Sequence, residues 1–138
     1  IAGRSRWQAT VVPATLRGVR SFYRTLQHSG TVGLLPDQTP GAGEGVWADF
    51  FGRPAYTMTL AGRLQRATGA AIIMVFAERL PGGRGYHLHF DELPTAHFDE
   101  TALNHAIEAQ VRRCPEQYLW SYYRYKGPPG AETPLAKA

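Results

Sequence analysis

The stretch Cys114-Pro115-Glu116-Gln117-Tyr118-Leu119-Trp120-Ser121-Tyr122-Tyr123-Arg124-Tyr125-Lys126 carries most of the information in this chain of 138 residues. Its proline suits the first turn of a helix, and we predict a short helix over 116–123. That helix lays Tyr118, Trp120 and Tyr122 against the body of the protein and presents Arg124 and Lys126 outward. Aromatic rings beside cations are typical of a water–lipid boundary, although plain packing is the better explanation of Trp120.

Three upstream segments have the apolar spacing of amphipathic helices. In residues 99–113, Asp99 is a suitable cap and the stripe is Leu103, Ile107 and Val111. Apolar residues also recur at helical spacing over 14–28, before Gly30, and over 56–68, before Gly69. We therefore predict helices at these three places.

Strand signals lie between these helices. Residues 70–78 and 85–90 predict adjacent strands with a hairpin-like connection through Pro81-Gly82-Gly83, and 47–52 predicts a short extended segment. Residues 31–36 have the apolar, β-rich composition of a buried parallel strand, and a loop rich in Pro and Gly follows over 37–46. We expect an α/β fold with a mixed, largely parallel sheet flanked by helices, formed by residues 1–126, with a disordered tail at 127–138.

The composition of the chain bears on its disulfides and on membrane spans. The single cysteine, Cys114, excludes an internal disulfide and suits a small buried thiol in a reducing compartment. No window approaches the roughly 18 apolar residues of a membrane span, so any membrane anchor is expected elsewhere. The chain starts at Ile1 without an initiator Met, which fits a fragment of a longer protein.

The net charge of +4 is unevenly distributed. Residues 1–36 contain no carboxylate but hold five arginines, namely Arg4, Arg6, Arg17, Arg20 and Arg24. Guanidinium groups bind phosphates and carboxylates through paired hydrogen bonds. This end of the chain therefore suits acidic or phosphorylated partners, although a solvated surface explains any one of these arginines equally well.

The aromatic stretch at 114–126 resembles the C-terminal signature of the bacterial lipid A biosynthesis acyltransferases. Three further segments match that family in the same order: Leu34-Leu35-Pro36-Asp37-Gln38, Phe50-Phe51-Gly52-Arg53-Pro54-Ala55 and Ala67-Thr68-Gly69-Ala70. The resemblance covers nearly the whole chain. It implies the C-terminal part of a glycerol-3-phosphate acyltransferase-like fold, with the family's catalytic His-x4-Asp/Glu box upstream of the matched region.

The resemblance implies transfer of a fatty acyl chain from an acyl carrier protein to a hydroxyl of a phosphorylated lipid A precursor. That reaction belongs to the cytoplasmic face of the inner membrane and needs no cofactor beyond the acyl donor. The expected partners are acyl carrier protein, the glycolipid acceptor and the membrane surface. Because the general base is expected upstream, we predict that the isolated chain binds but does not turn over.

The same resemblance assigns roles to individual residues. Asp37 corresponds to an aspartate that the family needs for activity, and Arg4 to an arginine implicated in holding phosphate or stabilising an oxyanion. Candidate substrate-binding residues are Arg6, Gln38, Phe51 and Arg124. Glu108, Arg112 and Gln117 match polar family positions, and we expect structural hydrogen bonds from them.

The histidines of the second predicted strand need a separate assessment. His87 and Glu92 have the formal His-x4-Glu spacing, but they follow the Thr-Gly-Ala segment and lack the neighbours of the family's box, so we reject them as catalytic. His87 and His89 alternate onto one strand face, as a metal pair could. The sequence alone favours no metal site.

Other functions stay open from the sequence. The same fold acylates other glycolipids, and a non-catalytic lipid-binding remnant would share these motifs. A basic nucleic-acid-binding module is suggested by the isoelectric point of about 9.5 and by aromatics among arginines. We do not favour it, because the strongest predicted strand is apolar, and we expect no nucleic-acid partner.

Overall fold

A computed structural model describes residues 9–131 and residue 134, and it divides the chain into two compact units, 1–33 and 34–138. The chain is a mixture of helices and strands. In order these are α1 (Leu16–Gln27), β1 (Gly45–Phe50), β2 (Arg53–Met58), α2 (Leu60–Thr68), β3 (Ile72–Arg79), β4 (Tyr86–Leu93) and α3 (Glu100–Arg113), with 3-10 turns at Pro81–Gly83 and Pro115–Gln117.

The first unit contains the predicted helix α1, with bounds slightly inside 14–28. The Thr15 hydroxyl accepts a hydrogen bond from the Gly18 N–H (3.4 Å) and caps the helix. Gly18 is required, because a Cβ atom there would lie 2.0 Å from the Pro13 carbonyl oxygen. Arg17, Arg20 and Arg24 are exposed on this helix.

The second unit begins with the β1–β2 hairpin, in which Gly45 pairs with Met58 and Phe50 with Arg53. Its two-residue turn has positive φ at Phe51 (50°) and Gly52 (74°), as the tight turns of hairpins require. The predicted start of a helix at Tyr56 was wrong, since Tyr56 and Thr57 are buried in β2 and the helix begins at Leu60. Gly69, in the left-handed conformation, ends α2 as expected.

Strands β3 and β4 form the second hairpin, which confirms the two predicted strands and their connection. One face, with Ile72, Met74 and Leu93, packs against the core. The other face stays exposed and carries Ile73, Val75, Tyr86, Leu88 and Phe90. β3 therefore alternates between covered and exposed residues and is not a strand buried on both faces.

The predicted largely parallel sheet was wrong, since both strand pairs are antiparallel and form separate two-stranded sheets. Each pair is joined by a short turn, and a parallel pair needs a crossover of about a dozen residues or more. The buried parallel strand predicted at 31–36 is also absent from the described residues, and Leu35 is exposed.

Helix α3 supplies the centre of the core. Asp99 caps it by accepting a hydrogen bond from the Ala102 N–H (2.7 Å), as predicted. Its stripe of Leu103, Ile107 and Val111 is buried and packs with Phe50, Ala55 and Phe98. The predicted helix at 116–123 was wrong, because only Pro115–Gln117 forms a helical turn and the chain is irregular after it.

No helix within the described residues is both long and apolar enough to cross a bilayer.

Truncation of Leu103 tests this arrangement of the core. Its side chain is 2% exposed, so Leu103→Ala should lower the free energy of unfolding by about 2–5 kcal/mol. Leu119→Ala is the matched control, because Leu119 is 65% exposed, and it should change stability by less than about 0.5 kcal/mol. Equal effects in urea unfolding would contradict a core centred on α3.

Candidate functional site

Residues 118–126, here called the C-terminal segment, pack against the β1–β2 hairpin. The Tyr125 hydroxyl donates a hydrogen bond to the Phe50 carbonyl oxygen (3.1 Å), and the Arg53 guanidinium lies 4.2 Å from the centre of the Tyr125 ring. A cavity of about 390 Å³ lies between them, lined by Phe50, Arg53, Tyr118, Trp120, Ser121, Tyr122, Tyr123, Arg124 and Tyr125. The lining of this cavity is thus largely aromatic, and it includes the exposed cation of Arg53.

Arg124 anchors the segment. Its side chain is 2% exposed, and its two terminal nitrogens donate to the Tyr56 carbonyl oxygen (2.8 Å), Thr57 Oγ1 (2.9 Å) and Asn104 Oδ1 (3.2 Å). Its Nε has no hydrogen-bond partner among the described residues. The predicted outward placement of Arg124 was wrong, and it is Trp120, 60% exposed, that faces outward.

Asn104 completes this buried network from α3. Its Nδ2 donates to the Asp49 carbonyl oxygen (2.8 Å) and to Thr57 Oγ1 (2.9 Å). Sequence analysis did not single out Asn104 or Thr57. The available signal was an amide beside Leu103 in the apolar stripe of a helix, because buried polar groups need hydrogen-bond partners.

The charge of Asp37 affects the pKa values of two residues in the C-terminal segment. Burial raises the pKa of Tyr118, and the Asp37 carboxylate raises it further. Burial lowers the pKa of Arg124, whereas the charges of Tyr118, Tyr122 and Asp37 act in the opposite direction. The charge of Asp37 is thus one of several that favour the charged form of Arg124, another predicted site residue.

The loop that carries Asp37 is tied to the segment two residues further on. The Thr39 N–H donates to the Tyr122 hydroxyl oxygen (2.8 Å). Burial acts to raise the pKa of Tyr122, but its hydrogen bonds with Thr39 and the charge of Lys126 outweigh that effect and lower it. Gln38, between Asp37 and Thr39, is exposed.

Phe51 occupies the tip of the β1–β2 hairpin in a conformation that aromatic residues rarely adopt. Its N–H donates to Glu108 Oε1 (2.6 Å), and the Arg112 guanidinium lies 4.8 Å from the centre of its ring. Arg112 also pairs with Glu108 (2.8 Å). The expected structural hydrogen bonds of Glu108 and Arg112 are confirmed, and so are those of Gln117, which binds the Arg79 N–H and carbonyl.

The predicted site also includes two arginines near the start of the chain. Arg4 and Arg6 lie outside the described residues. Their proposed roles therefore stay predictions.

The structure separates His87 and Glu92, the pair that we rejected as catalytic. In the β3–β4 register His87 pairs with Glu78 and Glu92 with Ile73, so the two residues point to opposite faces of the hairpin. Cys114 is buried as expected, and a hydrogen bond with Glu116, together with burial, raises the pKa of its thiol. Neither group is poised for proton removal or nucleophilic attack.

Comparison with known proteins identifies the family. The sequence profile of the bacterial lipid A biosynthesis acyltransferases matches residues 1–127. The chain is 30% identical over 138 residues to a lipid A biosynthesis palmitoleoyltransferase of Escherichia coli K12, covering 96% of this chain and 45% of that protein. It is 27% identical over 120 residues to the lipid A biosynthesis lauroyltransferase of the same organism, covering 82% of this chain and 39% of that protein.

This chain belongs to the bacterial lipid A biosynthesis acyltransferase family. It spans less than half the length of the curated relatives that it matches.

Replacement of Arg124 tests the anchor. Arg124→Lys keeps the charge but cannot reach three acceptors in the fork geometry of a guanidinium. We expect a loss of about 3 kcal/mol in the free energy of unfolding, since hydrogen bonds from charged groups contribute about 1.5–3 kcal/mol each. Arg63→Lys, at an exposed position of α2, is the matched control and should be neutral. Similar urea midpoints for the two variants would rule out the anchoring role.

Proposed function

We propose that this chain is part of an acyltransferase that moves a fatty acyl chain from an acyl carrier protein to a hydroxyl of a lipid A precursor. The match of the family profile over residues 1–127 carries this proposal. The names of the curated relatives, a palmitoleoyltransferase and a lauroyltransferase, support acyl transfer to lipid A. The complete enzyme is proposed to have a glycerol-3-phosphate acyltransferase-like fold.

In the proposed reaction the acceptor hydroxyl oxygen attacks the thioester carbonyl carbon. The new ester bond forms, the carbon–sulfur bond breaks, and the carrier leaves as its thiol. The hydroxyl proton passes to a general base, which we assign to a histidine of a His-x4-Asp/Glu box outside this chain, and from that base to the departing thiolate sulfur.

We assign the catalytic contributions of this chain to Asp37 and Arg4. Asp37 supplies a carboxylate beside the C-terminal segment, where it can orient a hydroxyl or a cation, and Arg4 supplies charge to a phosphate or an oxyanion. Arg6, Gln38 and Phe51 remain candidates for substrate contacts. Arg124 has its terminal nitrogens engaged with protein acceptors, so its proposed contribution to substrate binding is to hold the cavity wall in place.

Charge supports the proposed donor. Acyl carrier protein is acidic, and α1 presents Arg17, Arg20 and Arg24 to solvent in a stretch, 1–36, that has no carboxylate. Such a field raises the rate of encounter with an acidic partner.

Exposed apolar and aromatic side chains support a location at the cytoplasmic surface of the inner membrane. Leu119, Trp120 and Tyr123 are exposed on the C-terminal segment, and the Lys126 ammonium lies 4.7 Å from the centre of the Tyr122 ring. Amphipathic rings with a nearby cation suit the headgroup region of an anionic bilayer.

Deletion of the gene that encodes this chain tests the acceptor. We expect lipid A from the deleted cells to lose one acyl chain in mass spectrometry, and the wild-type gene to restore it. A gene with Asp37→Asn should not restore it, whereas Glu44→Gln in the same loop, at an exposed carboxylate, should. Unchanged lipid A together with the loss of an acyl chain from another glycolipid would establish the alternative acceptor. No change in any lipid would favour a non-catalytic remnant.

Vesicle binding tests the membrane contact. The chain should co-sediment with vesicles of anionic phospholipid, and Trp120→Ala should weaken partitioning by about fivefold, equivalent to about 1 kcal/mol of apolar burial. Tyr86→Ala is the matched control, because Tyr86 is 67% exposed on the β3–β4 hairpin. A larger loss from Tyr86→Ala than from Trp120→Ala would assign the contact to the hairpin instead.

A further inference from the structure

The β3–β4 hairpin gathers three side chains with metal-binding atoms at its turn end. Glu78 of β3 pairs directly with His87 of β4, and His89 follows two residues along the same strand. Directly paired residues and residues two apart share one face of an antiparallel pair. All three side chains therefore lie on the face opposite the exposed one that carries Ile73 and Val75.

Their geometry is close to that of a coordination shell. Glu78 Oε2 lies 2.8 Å from His89 Nε2, and the centres of the His87 and His89 rings are 4.3 Å apart. One ligand atom from each of the three residues lies within 4.8 Å of the other two. Ligand atoms around a tetrahedral Zn²⁺ are about 3.3 Å apart, given bonds of about 2.0–2.1 Å. Small side-chain rotations would therefore close the shell.

The donor set selects the class of ion. Two imidazoles and one carboxylate are the protein ligands of many zinc sites, with water in the fourth position. Ca²⁺ and Mg²⁺ prefer shells of oxygen atoms. The Glu78–His87–His89 cluster thus fits a divalent ion of the zinc type, and the exposure of His87 gives the ion a route of entry.

The surroundings hold the ligands in place. The Phe76 ring stacks on His89 at a centroid distance of 5.7 Å, which restrains that imidazole. The Gln117 side chain binds the N–H (2.8 Å) and the carbonyl (3.0 Å) of Arg79, and so fixes the end of β3 next to Glu78.

A simple ion pair between His89 and Glu78 explains the positions of fewer side chains in the cluster than a bound metal ion does. The two side chains are 23% and 35% exposed, and partly exposed pairs contribute little to stability. The pair also does not account for the position of the His87 ring, whose centre lies 4.3 Å from that of His89. A metal ion shared by both imidazoles explains all three positions.

A second group of possible ligands, Asp49, His105 and Glu108, is a weaker candidate. The Glu108 carboxylate is already bound by the Phe51 N–H (2.6 Å) and by Arg112 (2.8 Å). The Arg112 cation would also repel a metal ion at that place.

We propose that Glu78, His87 and His89 bind a zinc-type divalent ion that links strands β3 and β4. None of these three residues belongs to the site proposed for acyl transfer. The metal proposal therefore does not depend on the proposed function.

Metal titration of the purified chain tests the proposal. Calorimetry with Zn²⁺ and absorption spectroscopy with Co²⁺ should show one ion per chain, and Zn²⁺ should raise the unfolding temperature. His87→Ala, His89→Ala and Glu78→Gln should each weaken Zn²⁺ binding by at least about tenfold. His87→Ala should also abolish the thermal shift. Because His87 is exposed, its removal leaves the core intact, and circular dichroism confirms that the variant is folded.

Two control variants separate the possible outcomes. His28→Ala, at an exposed position after α1, should leave Zn²⁺ binding unchanged. His105→Ala should also leave it unchanged, and a loss of binding in that variant would place the ion at Asp49 and Glu108 and overturn the proposal. The proposal would also be overturned if the chain did not bind one Zn²⁺ ion, or if the wild type and His87→Ala bound Zn²⁺ with equal affinity. The cluster would then be explained by the Glu78–His89 ion pair alone.

Discussion

The buried guanidinium of Arg124 is the constraint on which the second unit depends. It donates to the Tyr56 carbonyl and Thr57 hydroxyl of β2 and to the Asn104 amide of α3, so one side chain joins the C-terminal segment, a hairpin and the central helix. No carboxylate accepts from it among the described residues. Burial of a cation with neutral acceptors is costly unless its hydrogen bonds are made. The three elements must therefore keep one arrangement for the charge to remain buried.

The position of Asp37 follows from that arrangement. The sequence analysis placed this carboxylate at the end of a parallel strand, but no such strand is present at 31–36 in the described part of the chain. The loop is held instead by the hydrogen bond from the Thr39 N–H to the Tyr122 hydroxyl, across 83 residues of sequence. Displacement of the C-terminal segment would break this hydrogen bond and release the loop that carries Asp37. The position of Asp37 therefore depends on the segment that Arg124 anchors.

Features that depend on interactions between residues close in the sequence were predicted, whereas features that depend on contacts between distant residues were not. The apolar spacing over 14–28, the cap Asp99 and the stripe of α3 are local signals, and they placed α1 and α3 correctly. The antiparallel pairing of β3 and β4 was predicted from the turn that joins them. The hairpin of β1 and β2 was missed, because the positive φ of Phe51 in its turn is not expected from an aromatic residue. The burial of Arg124 was missed for a related reason. The predicted helix over 116–123 presented this cation outward, whereas the acceptors that bury it lie 67 and 20 residues away in the sequence.

The β3–β4 hairpin is anchored unevenly along its length. At one end Ile72, Met74 and Leu93 pack against the core, and at the other Gln117 binds only the backbone of Arg79. A two-stranded hairpin is marginally stable by itself in water, and the face with Val75, Leu88 and Phe90 is exposed. The turn end is thus where packing contributes least, and it is also where Glu78, His87 and His89 meet. A cross-strand ion there would stabilise the part of the hairpin that the core does not reach, because an ion that binds the paired strands more tightly than the separated ones favours the paired state.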